Sequence, residues 1–321
     1  MKHLECALGK GNHIGKYILV IFLSFLASNI IGVIPLLCVV IVKAIQSGGD
    51  VAASMAALSD MSNLAALGIS PNLFFVLMLI PFALALVTLI FFIKLLHGRS
   101  YKEVINGTKT VRWSRFFWGA AFWFALALIS LGIQYAISPS DFELQFDITA
   151  FIPLVFISLL LIPLQTSYEE LTFRGYMAQG VGALTKSRWM AFLIPSILFG
   201  LMHSFNPEVS EFGFWLMIPQ YILMGAMLGL ISILDDGIEL AMGVHAANNI
   251  FASLFVTHSS SVFQTPAIFS IKEINPEGGY VEILITATLL IAFFYKKYNW
   301  SFSVMNKKIE VEEVEVKEET V

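Results

Sequence analysis

Charge is what this sequence lacks most. Of its 321 residues only 13% are Asp, Glu, Lys or Arg, whereas 57% are hydrophobic, and the mean hydropathy is +0.79. A soluble globular domain carries about 25% charged residues, so that class is excluded and an integral membrane protein is expected. Cysteine is also scarce. Cys6 and Cys38 make neither a disulfide framework nor metal-site spacing. No G-x-S-x-G nucleophile elbow and no H-E-x-x-H zinc helix occurs, which removes two hydrolase signatures. No internal repeat of the kind common in carriers is visible. The basic residues lie scattered beside apolar spans rather than on a soluble module, so no nucleic-acid partner is expected.

What is present is a series of long apolar runs. A spanning helix needs about 20 mostly apolar residues, and eight runs qualify as candidates: roughly 17–42, 73–96, 116–136, 150–173, 189–205, 213–234, 238–257 and 279–295. The expected fold is all-α, a polytopic membrane bundle of about eight transmembrane helices. The first run has neither the short apolar core nor the cleavage site of a signal peptide, and is expected to be retained. With the N-terminus inside, all of the 19 Lys and Arg residues except Lys43 and Lys272 fall on cytoplasmic segments. The positive-inside rule favours that orientation, which puts both termini inside. The outer loops are correspondingly acidic, with Asp141, Glu143, Asp147, Glu208 and Glu211. Residues 1–149 form a three-span region with an outer loop at 44–71. Residues 150–257 hold a candidate catalytic core, 258–298 the last span, and 299–321 an acidic, solvated cytoplasmic tail.

Ionisable groups inside spans are costly and usually face the bundle interior, where they mark function. Glu169, Glu170 and Arg174 lie on the fourth run, His203 at the end of the fifth, and His245, Asn248 and Asn249 on the seventh. Glu170 and Arg174 are one helical turn apart and can pair, as His245 and Asn249 can share a face. Glu169 is turned about 100° from Glu170, so one carboxylate can be held by Arg174 while the other faces a cavity. A desolvated carboxylate is a competent base, and a histidine with an asparagine amide can donate to an oxyanion. Together they are parts for attacking a peptide carbonyl with water. His3, His13, His97 and His258 fall in tails or loops and receive no role, and Asn248 reads as helix-packing glue.

These residues resemble a known family. "EELTFR" fits the E-E-x-x-x-R motif of the CAAX protease and bacteriocin-processing family, also called Abi proteins. "FGLMH" is similar to its F-x-x-x-H motif and "HAANN" to its H-x-x-x-N motif, in the right order and each on its own span. The resemblance covers roughly residues 150 to 257. It implies an intramembrane endopeptidase like the type 2 CAAX prenyl endopeptidase, acting on membrane-embedded or lipidated peptides in CAAX processing, peptide maturation or self-immunity. Carried over by motif, Glu169 activates water with His203 beside it, Arg174 orients Glu170, and His245 and Asn249 stabilise the oxyanion. The family is often labelled a metalloprotease, and Glu169, His203 and His245 are the residues that would hold a divalent ion such as zinc. The glutamate–histidine water mechanism requires none, and none is expected. The expected location is a bacterial plasma membrane, with the lipid bilayer as a partner. A proton-coupled transporter using the same Glu and His residues, or a non-catalytic peptide-binding immunity or scaffold protein, are the competing readings.

Overall fold

In a computed structural model that describes residues 2–9, 12–46, 48–49, 51 and 67–310, the chain is a helical membrane bundle. Its helices are α1 (Ile14–Gln46, with a π turn at Ala27–Gly32), α2 (Pro71–His97), α3 (Tyr101–Asn106), α4 (Trp113–Ile137) and α5 (Ile148–Thr185). They continue with α6 (Arg188–Met202), α7 (Pro207–Phe212), α8 (Phe214–Leu234), α9 (Glu239–Phe255) and α10 (Gly278–Tyr298). Six of these, α1, α2, α4, α5, α8 and α10, are long and apolar enough to cross a membrane. Both remaining expected spans, 189–205 and 238–257, are helical but shorter, as α6 with 15 residues and α9 with 17.

Local chemistry sets the helix ends. Ser70, Asp147 and Ser187 accept N-cap hydrogen bonds at α2, α5 and α6. Ser100 and Glu103 close a capping box on α3, which satisfies two otherwise orphaned N–H groups reciprocally. The outward faces carry large apolar side chains, among them Ile18, Phe91, Phe117, Phe156 and Leu160, as a lipid-facing surface requires.

The fourth run is longer than 150–173. It continues unbroken through Leu171–Met177, wound as a π-helix, and ends at Thr185. The polar stretch after the glutamates stays helical because it is enclosed: Arg174, Tyr176 and Gln179 are buried against the segment around α3 and the N-terminus.

Three short strands were not expected from the apolar pattern. β1 (Phe142–Leu144) pairs antiparallel with β3 (Phe269–Ile271), and β2 (Val256–Thr257) pairs with β3 in parallel. They tie together loops at the end of the bundle that carries Asp141, Glu143 and Asp147. We call this the mouth end, and the opposite one the basic end.

The basic end is a layer of paired polar groups. Arg112 pairs with Glu239 at 2.6 Å and, like Arg115, reaches Asp235 at 3.3 Å. The backbone N–H groups of Lys2 and His3 donate to the Asp236 carboxylate at 2.8–3.0 Å. Gly107, at φ +72, lets the Lys2 carbonyl lie where a Cβ would otherwise stand. The expected tail is partly built into this layer. Trp300, Val304, Met305 and Ile309 are buried, and the Trp300 indole donates to Asp235 at 3.1 Å. Those apolar residues anchor the stretch to 310 instead of leaving it solvated. The acidic remainder 311–321, and most of the loop 44–71, lie outside the described residues.

Candidate active site

The six residues singled out by spacing converge on one face of a single cavity or directly beneath it. On α5, Glu170 is fully buried and accepts a hydrogen bond from Arg174 Nη1 at 2.7 Å, one turn along. Arg174 also donates to the Gly225 carbonyl of α8 at 3.2 Å and lies over the Phe199 ring at 4.0 Å. A buried guanidinium is tolerable only with such partners. The same Glu170 oxygen accepts from His245 Nδ1 at 2.7 Å. That bond fixes the ring and turns Nε2 toward Glu169, 3.5 Å away. Asn249, one turn further on α9, stands 3.4 Å from His245 Nε2.

His203, the C-cap residue of α6, donates from Nδ1 to the Phe199 carbonyl at 2.7 Å. This bond sets the tautomer, since the backbone oxygen can only accept, and leaves Nε2 available. The ring is wedged between Phe199, 4.7 Å away, and Tyr221, stacked at 4.3 Å. Asn248 accepts from the Trp123 indole at 3.2 Å, which ties α9 to α4 as packing glue would.

The spacing argument overlooked Gln165. It lies one turn before Glu169, donates to Glu169 Oε1 and accepts from Asn249 Nδ2 at 3.0 Å. Its i, i+4 relation to Glu169 was the available signal. Of the histidines given no role, His258 lines the cavity. His3 is buried and within hydrogen-bonding distance, 3.1 Å, of the Arg174 carbonyl, and His97 contacts the Tyr176 hydroxyl at 2.6 Å. Burial lowers the His3 pKa, which keeps that ring neutral.

Glu169 lies about 24 Å along α5 from Thr185, and His203 about 23 Å along α6 past Arg188, at 1.5 Å per residue. His245 is only about 9 Å from the start of α9. That start is itself sunk into the protein, where Ile238 and Glu239 are buried.

The cavity has a volume of about 590 Å³. Glu169, His203, His245 and Asn249 face it together with apolar residues such as Phe82, Met217 and Met224. Among the described residues, no three His, Cys, Asp or Glu side chains stand close enough to hold one ion. As placed, Glu169, His203 and His245 do not form a ligand set, and the chemistry below is assigned to side chains and water.

The segment that carries this arrangement is similar to known proteins. Residues 148–251 match the family described as type II CAAX prenyl endopeptidase Rce1-like. The uncharacterized protein YyaK of Bacillus subtilis (strain 168) is 36% identical over 180 residues, 56% of this chain and 60% of that protein. The chain thus spans less than two thirds of that relative's length. No solved structure matches.

Proposed function

We propose that the chain is an intramembrane endopeptidase that hydrolyses peptide bonds with water activated by Glu169. The observation that carries this reading is the division of labour between two adjacent glutamates. One Glu170 oxygen is held by both Arg174 and His245 and the side chain is fully buried, whereas Glu169 faces the cavity.

In the proposed reaction, water lies between the Glu169 carboxylate and His203 Nε2. Glu169 takes a proton as the water oxygen bonds to the scissile carbonyl carbon. Asn249 Nδ2 and His245 Nε2 donate to the oxyanion that forms. Its collapse breaks the C–N bond, and the proton held on Glu169 passes to the leaving amine. Glu170 and Arg174 act one step back, by holding the His245 ring. General-base catalysis of this kind contributes about 10²–10⁴-fold and an oxyanion donor about 10²–10³-fold. The substrate is a peptide segment of a membrane protein or lipidated peptide, with apolar side chains for the Met- and Phe-lined wall. The proposed setting is a bacterial plasma membrane.

Comparison of membrane-derived peptides from cells expressing the wild type and Glu169→Ala tests the reading, backed by cleavage of a hit by reconstituted protein. Peptides that disappear in the variant support it. Cleavage by Glu169→Ala at the wild-type rate refutes the mechanism. A chelator is expected to leave the rate unchanged.

A further inference from the structure

Two observations fix where a substrate reaches this site. First, the cavity wall beyond the polar cluster comes from the mouth end. Asn206 and Glu208 at the start of α7, and His258, Ser261 and Val262 after β2, line it. The Val262 N–H donates to Glu208 at 3.0 Å, which joins these two loops, and Asn206 donates to the Tyr221 hydroxyl of α8 at 3.0 Å. Second, the path toward the basic end is filled. Below Glu169 lie Glu170, Arg174, Leu171 and Tyr176, all buried. Beneath those, residues 2–9 form a floor. His3 Nε2 lies within hydrogen-bonding distance of the Arg174 carbonyl, Gln179 donates to the His3 carbonyl at 2.9 Å, and Arg188 pairs with Glu5.

The charge distribution orients these two ends. Lys94, Lys102, Lys109, Lys186 and Lys296 surround the basic end, while Lys272 at the mouth end is paired with Glu143 at 3.8 Å. Cytoplasmic loops carry the Lys/Arg excess. From this we infer that the site receives its peptide from the side opposite the cytoplasm: a segment of a membrane-anchored or surface-bound polypeptide at the outer leaflet, with the scissile bond descending past Glu208 to Glu169. A cytoplasmic peptide would have to pass the buried floor. The identity of the ligand as a peptide rests on the hydrolase reading above; the side of access does not.

Thiol accessibility separates the two. In a background carrying Cys6→Ser and Cys38→Ser, single cysteines are placed by Ser210→Cys on exposed α7, Ser261→Cys in the cavity wall and Lys109→Cys in the exposed basic-end loop. Intact cells are treated with a membrane-impermeant sulfonated maleimide. Ser210→Cys and Ser261→Cys are expected to react in intact cells, and Lys109→Cys only after permeabilisation. The reverse pattern overturns the inference. So does a Ser261→Cys thiol that reacts only after permeabilisation or that stays unreactive in both states while Ser210→Cys labels. None of these readouts requires cleavage, so an inactive protein with the expected pattern would defeat the protease reading and leave the side of access standing.

Discussion

The two ends of the bundle handle polar groups in opposite ways. At the basic end, polar groups pair with one another: Asp235 and Glu239 with Arg112, Asp236 with the first backbone amides, and Gln179 with three carbonyls. At the mouth end, Glu169, His203 and His258 border about 590 Å³ of space. Buried polar groups held by charged partners maintain structure, whereas those facing a cavity are available for chemistry. Glu170 and Glu169, adjacent in sequence, fall on either side of that divide.

Substitutions that leave a buried charge alone should break this comparison most severely. Arg174→Ala strands Glu170 without its cation, and unpairing a buried ion pair costs about 3–5 kcal/mol. Thermal unfolding in detergent should show a large loss, with little folded protein recovered. Asp236→Ala removes the acceptor of three contacts from the N-terminal floor and should cost about 1–3 kcal/mol. The same substitution should make Cys6 react with a thiol reagent in detergent, since Cys6 is held against the His3 and Glu103 carbonyls. Burial already pushes the Cys6 thiol up to about 11, so it should be nearly inert in the wild type.

The cavity side should respond in kinetics rather than stability. Met217→Trp narrows the apolar wall and should lower kcat/KM about tenfold, mainly through KM, with unfolding little changed. The smallest effect concerns pH. Burial outweighs the two neighbouring guanidiniums and pushes the Asp235 carboxyl up to about 6, from 3.8. A folded-state pKa above the unfolded one contributes stability that is fully present below about 3.8 and is lost as pH rises through about 6. Asp235→Asn should flatten that dependence in unfolding measured between pH 4 and 7.

Much of the site was legible because it obeys helical spacing. Glu170 with Arg174 and His245 with Asn249 are one turn apart, and the spans that carry them are strongly apolar. The all-helical bundle was legible for the same reason. Helix ends and depths were not, since they depend on neighbours. The Gly- and Gln-containing stretch after Tyr176 stays helical only because α3 and residues 2–9 cover it. The start of α9 is deep only because Arg112 neutralises Glu239. His3 carries no periodic signal, and its position follows from Asp236 capturing the adjacent amides. Strands of two or three residues in "FEL", "VT" and "FSI" are too short to show alternation.

Side-resolved proteolysis tests the central claim most directly. Protein reconstituted into liposomes, with its orientation scored by labelling at Ser210→Cys and Lys109→Cys, is given a membrane-associated peptide substrate on one face at a time. Cleavage is expected only when the peptide is on the face that carries Glu208, and Glu169→Gln should abolish it. Equal cleavage from the basic face, or cleavage that survives Glu169→Gln, would contradict the account.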